Sequence, residues 1–185
     1  MGTDSRGVID LSVLVAERLG LDAHEREQVE LVALFRNIGN IAIPRGIIDK
    51  PGPLTDEEWH AIQAHTVRGQ TLLDNAGSVD PEVGRMVRAS HERWDGLGYP
   101  DGLLGPAIPL AARIVACCDA FWAMTGARPY RPPMPRAAAV RELADKAGSQ
   151  FDPRVASTLI AIVRPNIIKL LPEPSSDRDP VASAQ

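Results

Sequence analysis

Apolar residues recur every three to four positions along most of this 185-residue chain, and no segment alternates apolar and polar residues as a half-buried strand would. Val8, Leu11, Val15 and Leu19 mark one such stretch, and Gly20 follows where a helix would end. Because this spacing turns one apolar face of each helix towards a core, the sequence predicts an all-α bundle.

Capping residues indicate where further helices begin. Asp22 precedes a helix predicted to reach about residue 38, and Thr55 with Glu58 forms a capping box for a helix predicted to reach about residue 75. Further helices are predicted at 80–92, 108–124, 136–147 and from 152 onwards. Between them, RWDGLGYPDGLLGP is too rich in Gly and Pro for a helix or strand, so we expect a structured loop.

Length and composition limit the classes of function. We predict one domain over residues 1–170 and a disordered tail over 171–185, which holds few apolar residues. A net charge of −4 argues against a nucleic-acid partner. We find neither a signal-peptide pattern nor an apolar run long enough to span a membrane, and the two adjacent cysteines suggest no disulfide framework. The expectation is a cytoplasmic chain without a membrane partner.

Three residues of metal-ligating type fall on separate predicted helices. Asp119 lies in the apolar run ARIVACCDAFWAM, where a carboxylate is costly unless it is paired or bound to a metal. His65 and His91 could supply imidazoles from two other helices, which together is ligand chemistry for a divalent metal. Each histidine could equally be a hydrogen-bonded structural residue.

The motifs make this chemistry more specific. The run HERWDGLGYPDGL is followed by IPLAARIVACCDAFWAMTGARPYR, and both are preceded by IGNIAIPRGIIDKPGPLTDEEWHAIQAHTVRGQTLL. In this order they resemble the HD-GYP family of HD-superfamily phosphohydrolases, from about residue 4 to about residue 160. The resemblance implies an all-α fold around two or three iron or manganese ions. It also implies an enzyme that hydrolyses cyclic di-GMP to pGpG or GMP.

The same resemblance exposes a departure at the segment LFRNIGNIAIP. Where family members resemble L-H-D-I-G-K, this chain reads F-R-N-I-G-N, so Arg36 replaces the metal-binding His, Asn37 the metal-binding Asp, and Asn40 a Lys near the substrate phosphate. Ser90 replaces the first His of a His-His-Glu run. A guanidinium offers no lone pair, and at about 4 Å it would repel a divalent ion by about 8 kcal/mol at an effective dielectric of about 20. We therefore predict that two-metal hydrolysis is lost.

Two hypotheses remain for the residues that are kept. His65, His91 and Asp119 could still hold a single divalent metal, iron or manganese. Alternatively, Arg36 could take the place of the metal and pair with Asp119, in which case no cofactor is needed. We favour the second hypothesis.

The loop motif Gly98, Tyr99 and Pro100 is kept in full. The resemblance links this loop with protein partners, including diguanylate cyclase domains, whereas the residues themselves predict a packed turn. Arg128 and Arg131 could meet a phosphate group, or could only solvate the end of a helix.

The leading hypothesis is a catalytically inactive HD-GYP-like domain that acts through protein interaction or regulation in bacterial signalling related to cyclic di-GMP. Its expected partner is a diguanylate cyclase domain or a sensory or receiver module. The alternative is a weak metal-dependent phosphodiesterase that uses His65, His91 and Asp119. A third hypothesis, a receptor that binds cyclic di-GMP without cleaving it, is weakened by the missing Lys at position 40.

Overall fold

The computed structural model describes residues 5–48, 50–77, 79–126 and 132–164. Within these ranges the chain forms nine α-helices and no β-strand, which confirms the all-α prediction. The helices are α1 (Ser5–Leu19), α2 (Ala23–Phe35), α3 (Arg45–Ile48), α4 (Asp56–Gln63), α5 (His65–Ala76), α6 (Pro81–Arg88), α7 (Leu110–Thr125), α8 (Arg136–Asp145) and α9 (Pro153–Val163). Short 3₁₀ turns follow α2 and α6 and precede α7, at Ile38–Ala42, Ala89–His91 and Gly105–Ala107.

Helix α7 lies at the centre of the bundle and contacts α1, α2, α6, α8 and α9. Its Ile114, Val115 and Phe121 are buried in the main apolar core, together with residues from the helices around it. Asp119 is carried by this helix, so the core fixes the backbone position of that carboxylate. No helix among the described residues is long and apolar enough to cross a membrane. The predicted tail, 171–185, lies outside the described residues.

The predicted caps are present. The Asp22 side chain accepts a hydrogen bond from the backbone N–H of Glu25 at 2.9 Å, and the Glu25 carboxylate accepts one from the backbone N–H of Asp22 at 2.9 Å. Thr55 and Glu58 form the equivalent box before α4. Asp152 caps α9 through the backbone N–H of Arg154. These local signals therefore set the helix starts as the sequence indicates.

The prediction of one unbroken helix from the Thr55 cap to about residue 75 is wrong, because the structure has two helices there, α4 and α5, which meet at Ala64. The ring of His65 hydrogen-bonds the carbonyl of Ile62, and the hydroxyl of Thr66 donates to the carbonyl of Gln63. These side chains compete with the backbone ladder for the last carbonyls of α4, which favours a break. The break places His65 at the start of α5.

Helix α2 also ends earlier than predicted, at Phe35, and a 3₁₀ turn takes its place. Gly39 in that turn lies so close to α5 that a Cβ there would collide with the carbonyl of His65 and lie 2.8 Å from the backbone nitrogen of Gly69. This close contact brings the segment after Arg36 against the helix that carries His65.

Candidate functional site

Five elements bring polar side chains together around Asp119, near the middle of α7. Arg36 is the C-cap residue of α2, His65 begins α5, and His91 ends the 3₁₀ turn after α6. Asp119 extends from α7. Tyr99, from the loop at 93–106 that we call the GYP loop, lies over His91. The sequence-predicted candidates thus include a group that is close in space although distant in the chain.

Arg36 and Asp119 form an ion pair at the centre of this group. The Nε atom of Arg36 donates to Oδ1 of Asp119 at 2.8 Å, and its Nη1 donates to the carbonyl oxygen of Ala33 at 2.6 Å. The Arg36 side chain is only 3% exposed, whereas that of Asp119 is 37% exposed. The guanidinium therefore points into the protein and supplies the positive charge beside the Asp119 carboxylate.

His65 is buried, and one of its ring nitrogens faces a backbone acceptor. Nδ1 lies 2.6 Å from the carbonyl oxygen of Ile62, which can only accept, so Nδ1 carries the proton. Nε2 is then a lone-pair nitrogen, and it has no hydrogen-bond partner. Burial lowers the pKa of His65, against the opposing effects of the Ile62 carbonyl and Asp119, which keeps the ring neutral. This arrangement is also the one that orients metal-binding histidines.

The rings of His65, His91, Tyr99 and Trp59 form a continuous aromatic row. His65 meets His91 edge to face at 4.9 Å between ring centroids, and His91 stacks on Tyr99 at 5.2 Å with an angle of 4° between the ring planes. Trp59 packs edge to face on Tyr99 at 6.2 Å. Burial is the main cause that lowers the pKa of His91 to about 4, and the neighbouring His65 is the second cause. Burial also raises the pKa of Tyr99 to about 12. The row is therefore uncharged at neutral pH.

The other positions at which the resemblance implies a substitution are Asn37, Asn40 and Ser90. Asn40 donates a long hydrogen bond to the side-chain oxygen of Asn37 at 3.4 Å. Ser90 is buried beside His91, and its Oγ has no partner. Arg128 and Arg131 lie outside the described residues.

The carboxylate of Glu92 holds the GYP loop through hydrogen bonds from the loop backbone. Its two carboxylate oxygens accept hydrogen bonds from the backbone N–H groups of Asp101 and Leu103, at 2.7 and 3.0 Å. Gly98 packs against the backbone of Glu92 and Arg93 so closely that a Cβ at that position would collide with it. Sequence reasoning assigned no role to Glu92. The signal in the sequence was the position of this carboxylate, directly before a loop whose backbone N–H groups need acceptors.

Two arginines fasten the same loop through paired hydrogen bonds. Arg88 binds both carboxylate oxygens of Asp101, at 2.6 and 2.7 Å, and Arg93 binds both of Asp95, at 2.6 and 3.0 Å. Asp95 also accepts from the backbone N–H of Leu97. These interactions, together with the stacking of Tyr99, hold Gly98, Tyr99 and Pro100 in a fixed turn, as the residues themselves predict.

The residues present do not fit the metal centre that the resemblance implies. Within the described part of the chain, no three His, Cys, Asp or Glu side chains form a group that could hold a metal ion. One oxygen of Asp119 is taken by Arg36, and both oxygens of Glu92 are taken by loop amides. The donor set is that of an ion pair with two neutral imidazoles beside it.

Comparison with known proteins identifies the family. A family model described as HD domain matches residues 1–155. The chain belongs to the HD domain family. Together with the relatives and the solved structure described next, this match confirms the HD-GYP resemblance drawn from the motifs, while the replacement of the His-Asp pair by Arg36 and Asn37 stays a prediction.

Individual relatives add detail to this membership. The cyclic di-GMP phosphodiesterase response regulator RpfG of Xanthomonas campestris is 43% identical over 148 residues, which cover 80% of this HD domain chain and 39% of RpfG. A cyclic di-GMP phosphodiesterase of Thermotoga maritima is 37% identical over 153 residues, which cover 82% of this chain and 42% of the relative. The chain therefore spans less than half the length of either relative.

A solved structure supports the fold. The cyclic GMP-AMP specific phosphodiesterase V-cGAP3 of Vibrio cholerae superposes with a TM-score of 0.68 at 17% sequence identity, over 89% of this chain and 44% of that one. At this level of identity the likeness concerns the arrangement of helices.

Proposed function

We propose that this HD domain is a non-catalytic signalling domain that acts through protein interaction in cyclic dinucleotide signalling. The observation that carries the proposal is the buried guanidinium of Arg36, 2.8 Å from the Asp119 carboxylate. A divalent ion that used Asp119 would have to lie beside this fixed positive charge, which disfavours it strongly. Without such ions the site loses the charges that, in two-metal hydrolysis, activate water and stabilise the leaving oxygen.

The GYP loop is the surface we propose for the partner. Leu97 is 78% exposed and Leu104 is 64% exposed, and both stand on a loop that Glu92 and the two arginine–aspartate pairs hold in place. Apolar side chains on a pre-ordered loop lose little conformational entropy on binding, which suits a protein contact. The proposed partner is a diguanylate cyclase domain or a sensory or receiver module.

The alternative function is a weak metal-dependent phosphodiesterase. Its support is the set of relatives named as cyclic di-GMP phosphodiesterases, together with the free lone pair that the structure leaves on Nε2 of His65. The names of relatives favour this alternative, whereas the chemistry of the site favours the non-catalytic proposal. In the alternative, His65, His91 and Asp119 would hold one iron or manganese ion after Arg36 had moved away.

A turnover assay separates the two proposals. The purified protein is incubated with cyclic di-GMP, and separately with 3′3′-cGAMP, in the presence of Mn²⁺ or Fe²⁺, and products are separated by chromatography. We expect no product above that of an Asp119→Ala variant. Product that depends on metal and disappears in Asp119→Ala supports the phosphodiesterase and overturns our proposal. Calorimetric binding of intact cyclic di-GMP without turnover would instead support the receptor hypothesis.

The partner is tested by affinity capture with a purified diguanylate cyclase domain as bait. We expect capture by the wild-type chain and its loss in a Leu97→Ser, Leu104→Ser variant, which removes the exposed apolar side chains without touching the loop anchors. A Leu34→Ser variant is the control, because Leu34 is also exposed but lies on α2. Equal capture by all three proteins would remove the GYP loop as the proposed contact.

A further inference from the structure

A cavity of about 120 Å³ opens beside the Arg36–Asp119 pair. Its lining residues are Arg36, Ser90, His91, Arg93, Asp119 and Gln150, with further residues of α7 and the loop. Two of them carry buried polar atoms that have no hydrogen-bond partner, Nη2 of Arg36 and Oγ of Ser90. Buried donors without partners, on two residues that line one cavity, call for an acceptor close to them.

The other arginines of this region show what Arg36 lacks. Arg88 and Arg93 each use Nε and Nη2 together, so that one carboxylate fills the whole edge of the guanidinium. Arg36 uses Nε for Asp119 and Nη1 for a backbone carbonyl, and its Nη2 stays open. Leaving a buried charged donor open costs more free energy than leaving a neutral one. The Nη2 group of Arg36 is therefore a position at which an acceptor oxygen would be stabilised.

The chemistry of the two donors selects the charge of the occupant. A guanidinium N–H can only donate, and a serine hydroxyl can donate to the same ligand, so both favour an oxygen that carries negative charge. Glu92 also lines the cavity, but its oxygens are bound to loop amides, and Asp119 is partly exposed to solvent, which screens its charge. Arg93 also lines the wall, but its guanidinium is already paired with Asp95, so Arg36 is the cation that can face the ligand.

We propose that this cavity binds a small oxyanion, a carboxylate or a phosphate group, through Nη2 of Arg36 and Oγ of Ser90. The inference rests on the proposed function, because it requires Arg36 rather than a metal ion in the pocket. Binding of an oxyanion would give a small-molecule ligand to a domain that we propose acts through protein contact. Both donors stand at positions where the sequence departs from its family, so the substitutions would have turned a pocket for cations into one for anions.

The test measures thermal unfolding and calorimetric binding with sodium phosphate, sodium acetate and sodium chloride at equal ionic strength. The protein is first dialysed against a chelator and its metal content is checked. Ser90→Ala removes one donor, and Arg36→Lys keeps a positive charge but removes the fork. Arg88→Lys is the matched control, because the guanidinium of Arg88 is already filled by Asp101 and does not line this cavity.

We expect phosphate, acetate or both to raise the midpoint of unfolding in wild type and in Arg88→Lys, while chloride does not. A response to phosphate alone identifies a phosphoryl ligand, and a response to acetate identifies a carboxylate. Ser90→Ala should weaken binding about tenfold, the loss expected for one hydrogen bond to a charged ligand. If Arg36→Lys does not fold, the Ser90→Ala result decides.

The proposal is overturned if no anion exceeds chloride, since the cavity then holds water only, or if Ser90→Ala binds as wild type does. Failure of the proposed function has a different signature. It would show as cyclic dinucleotide turnover or as a retained metal, whereas a metal-free, inert protein that ignores anions would contradict only the present inference.

Discussion

The GYP loop and the pocket around Arg36 are neighbours, yet they satisfy their charged groups to different degrees. In the loop, Arg88 and Arg93 each hold a carboxylate by two hydrogen bonds, and Glu92 uses both of its oxygens. In the pocket, Arg36 and Ser90 each leave a buried polar atom without a partner, and so does His65, whose ring packs on that of His91. Both regions are built from the same kinds of residue.

This difference separates framework from site. A polar network in which every member is paired stabilises one conformation of the backbone and needs nothing further. Buried polar atoms without partners are rare in folded proteins, and each one needs an explanation such as an ion, a ligand or a catalytic role. The charged groups that hold the loop therefore find their hydrogen-bond partners within the chain. The pocket, in contrast, keeps buried donors that a bound ligand would satisfy.

The largest expected effect restores the pocket to a cation site. In the combined variant Arg36→His, Asn37→Asp, Asn40→Lys and Ser90→His, the two new histidines and the new aspartate supply metal ligands, so we expect it to gain bound iron or manganese. The new lysine is the group that the family resemblance places near the substrate phosphate. Metal content per chain is measured by mass spectrometry after purification, with wild type alongside. A variant that is folded by circular dichroism and yet metal-free would show that the replaced residues are not what excludes the metal.

The next effect concerns the ion pair itself. Asp119→Ala leaves the buried guanidinium of Arg36 without its carboxylate, and we expect a loss of about 2–3 kcal/mol in the free energy of unfolding, reduced by the partial exposure of Asp119. Urea denaturation measures it. Glu17→Ala is the control, because its pair with Arg26 is exposed and should cost less than about 1 kcal/mol. Equal losses would mean that Arg36 is not held by Asp119.

A smaller effect is expected in the loop when its central carboxylate is changed. Glu92→Gln keeps the size of the side chain but places an N–H group against the amides of Asp101 and Leu103. We expect about 1–2 kcal/mol of destabilisation. Hydrogen exchange should show faster exchange at those two amides. Unchanged protection there would mean that the loop is held by other contacts.

The smallest effect is expected at the outer anchor of the loop. Arg88→Ala removes both hydrogen bonds to Asp101, but this pair is partly exposed, so about 0.5–1 kcal/mol should be lost. Urea denaturation with the Asp101→Ala variant and the double variant isolates the interaction between the two side chains. A loss as large as that of Asp119→Ala would remove the contrast between loop and pocket.

Local signals in the sequence predicted much of the helical framework. Capping residues such as Asp22 and Thr55 act on the nearest backbone amides, so their positions in the chain indicate where helices begin. The break at Ala64 was not predictable from periodicity, because it depends on side chains of His65 and Thr66 that bond back to the preceding turn. Apolar spacing continues across that break in the sequence.

The site was predictable only in part for a similar reason. The motif resemblance drew attention to Arg36, and its pair with Asp119 was predicted from the cost of an unpaired carboxylate in an apolar run; the pair is present, although Asp119 is partly exposed. The role of Glu92 could not be read, because its partners are loop amides 9 and 11 residues further along the chain. Long-range pairing of this kind depends on the turn that Gly98 allows.

The metal content of the purified wild-type protein tests the central claim most directly. After expression in medium supplemented with iron and manganese, mass spectrometry should find neither metal in stoichiometric amount, because the guanidinium of Arg36 already neutralises Asp119. One or more tightly bound iron or manganese ions per chain would contradict the claim that Arg36 stands in place of the metal.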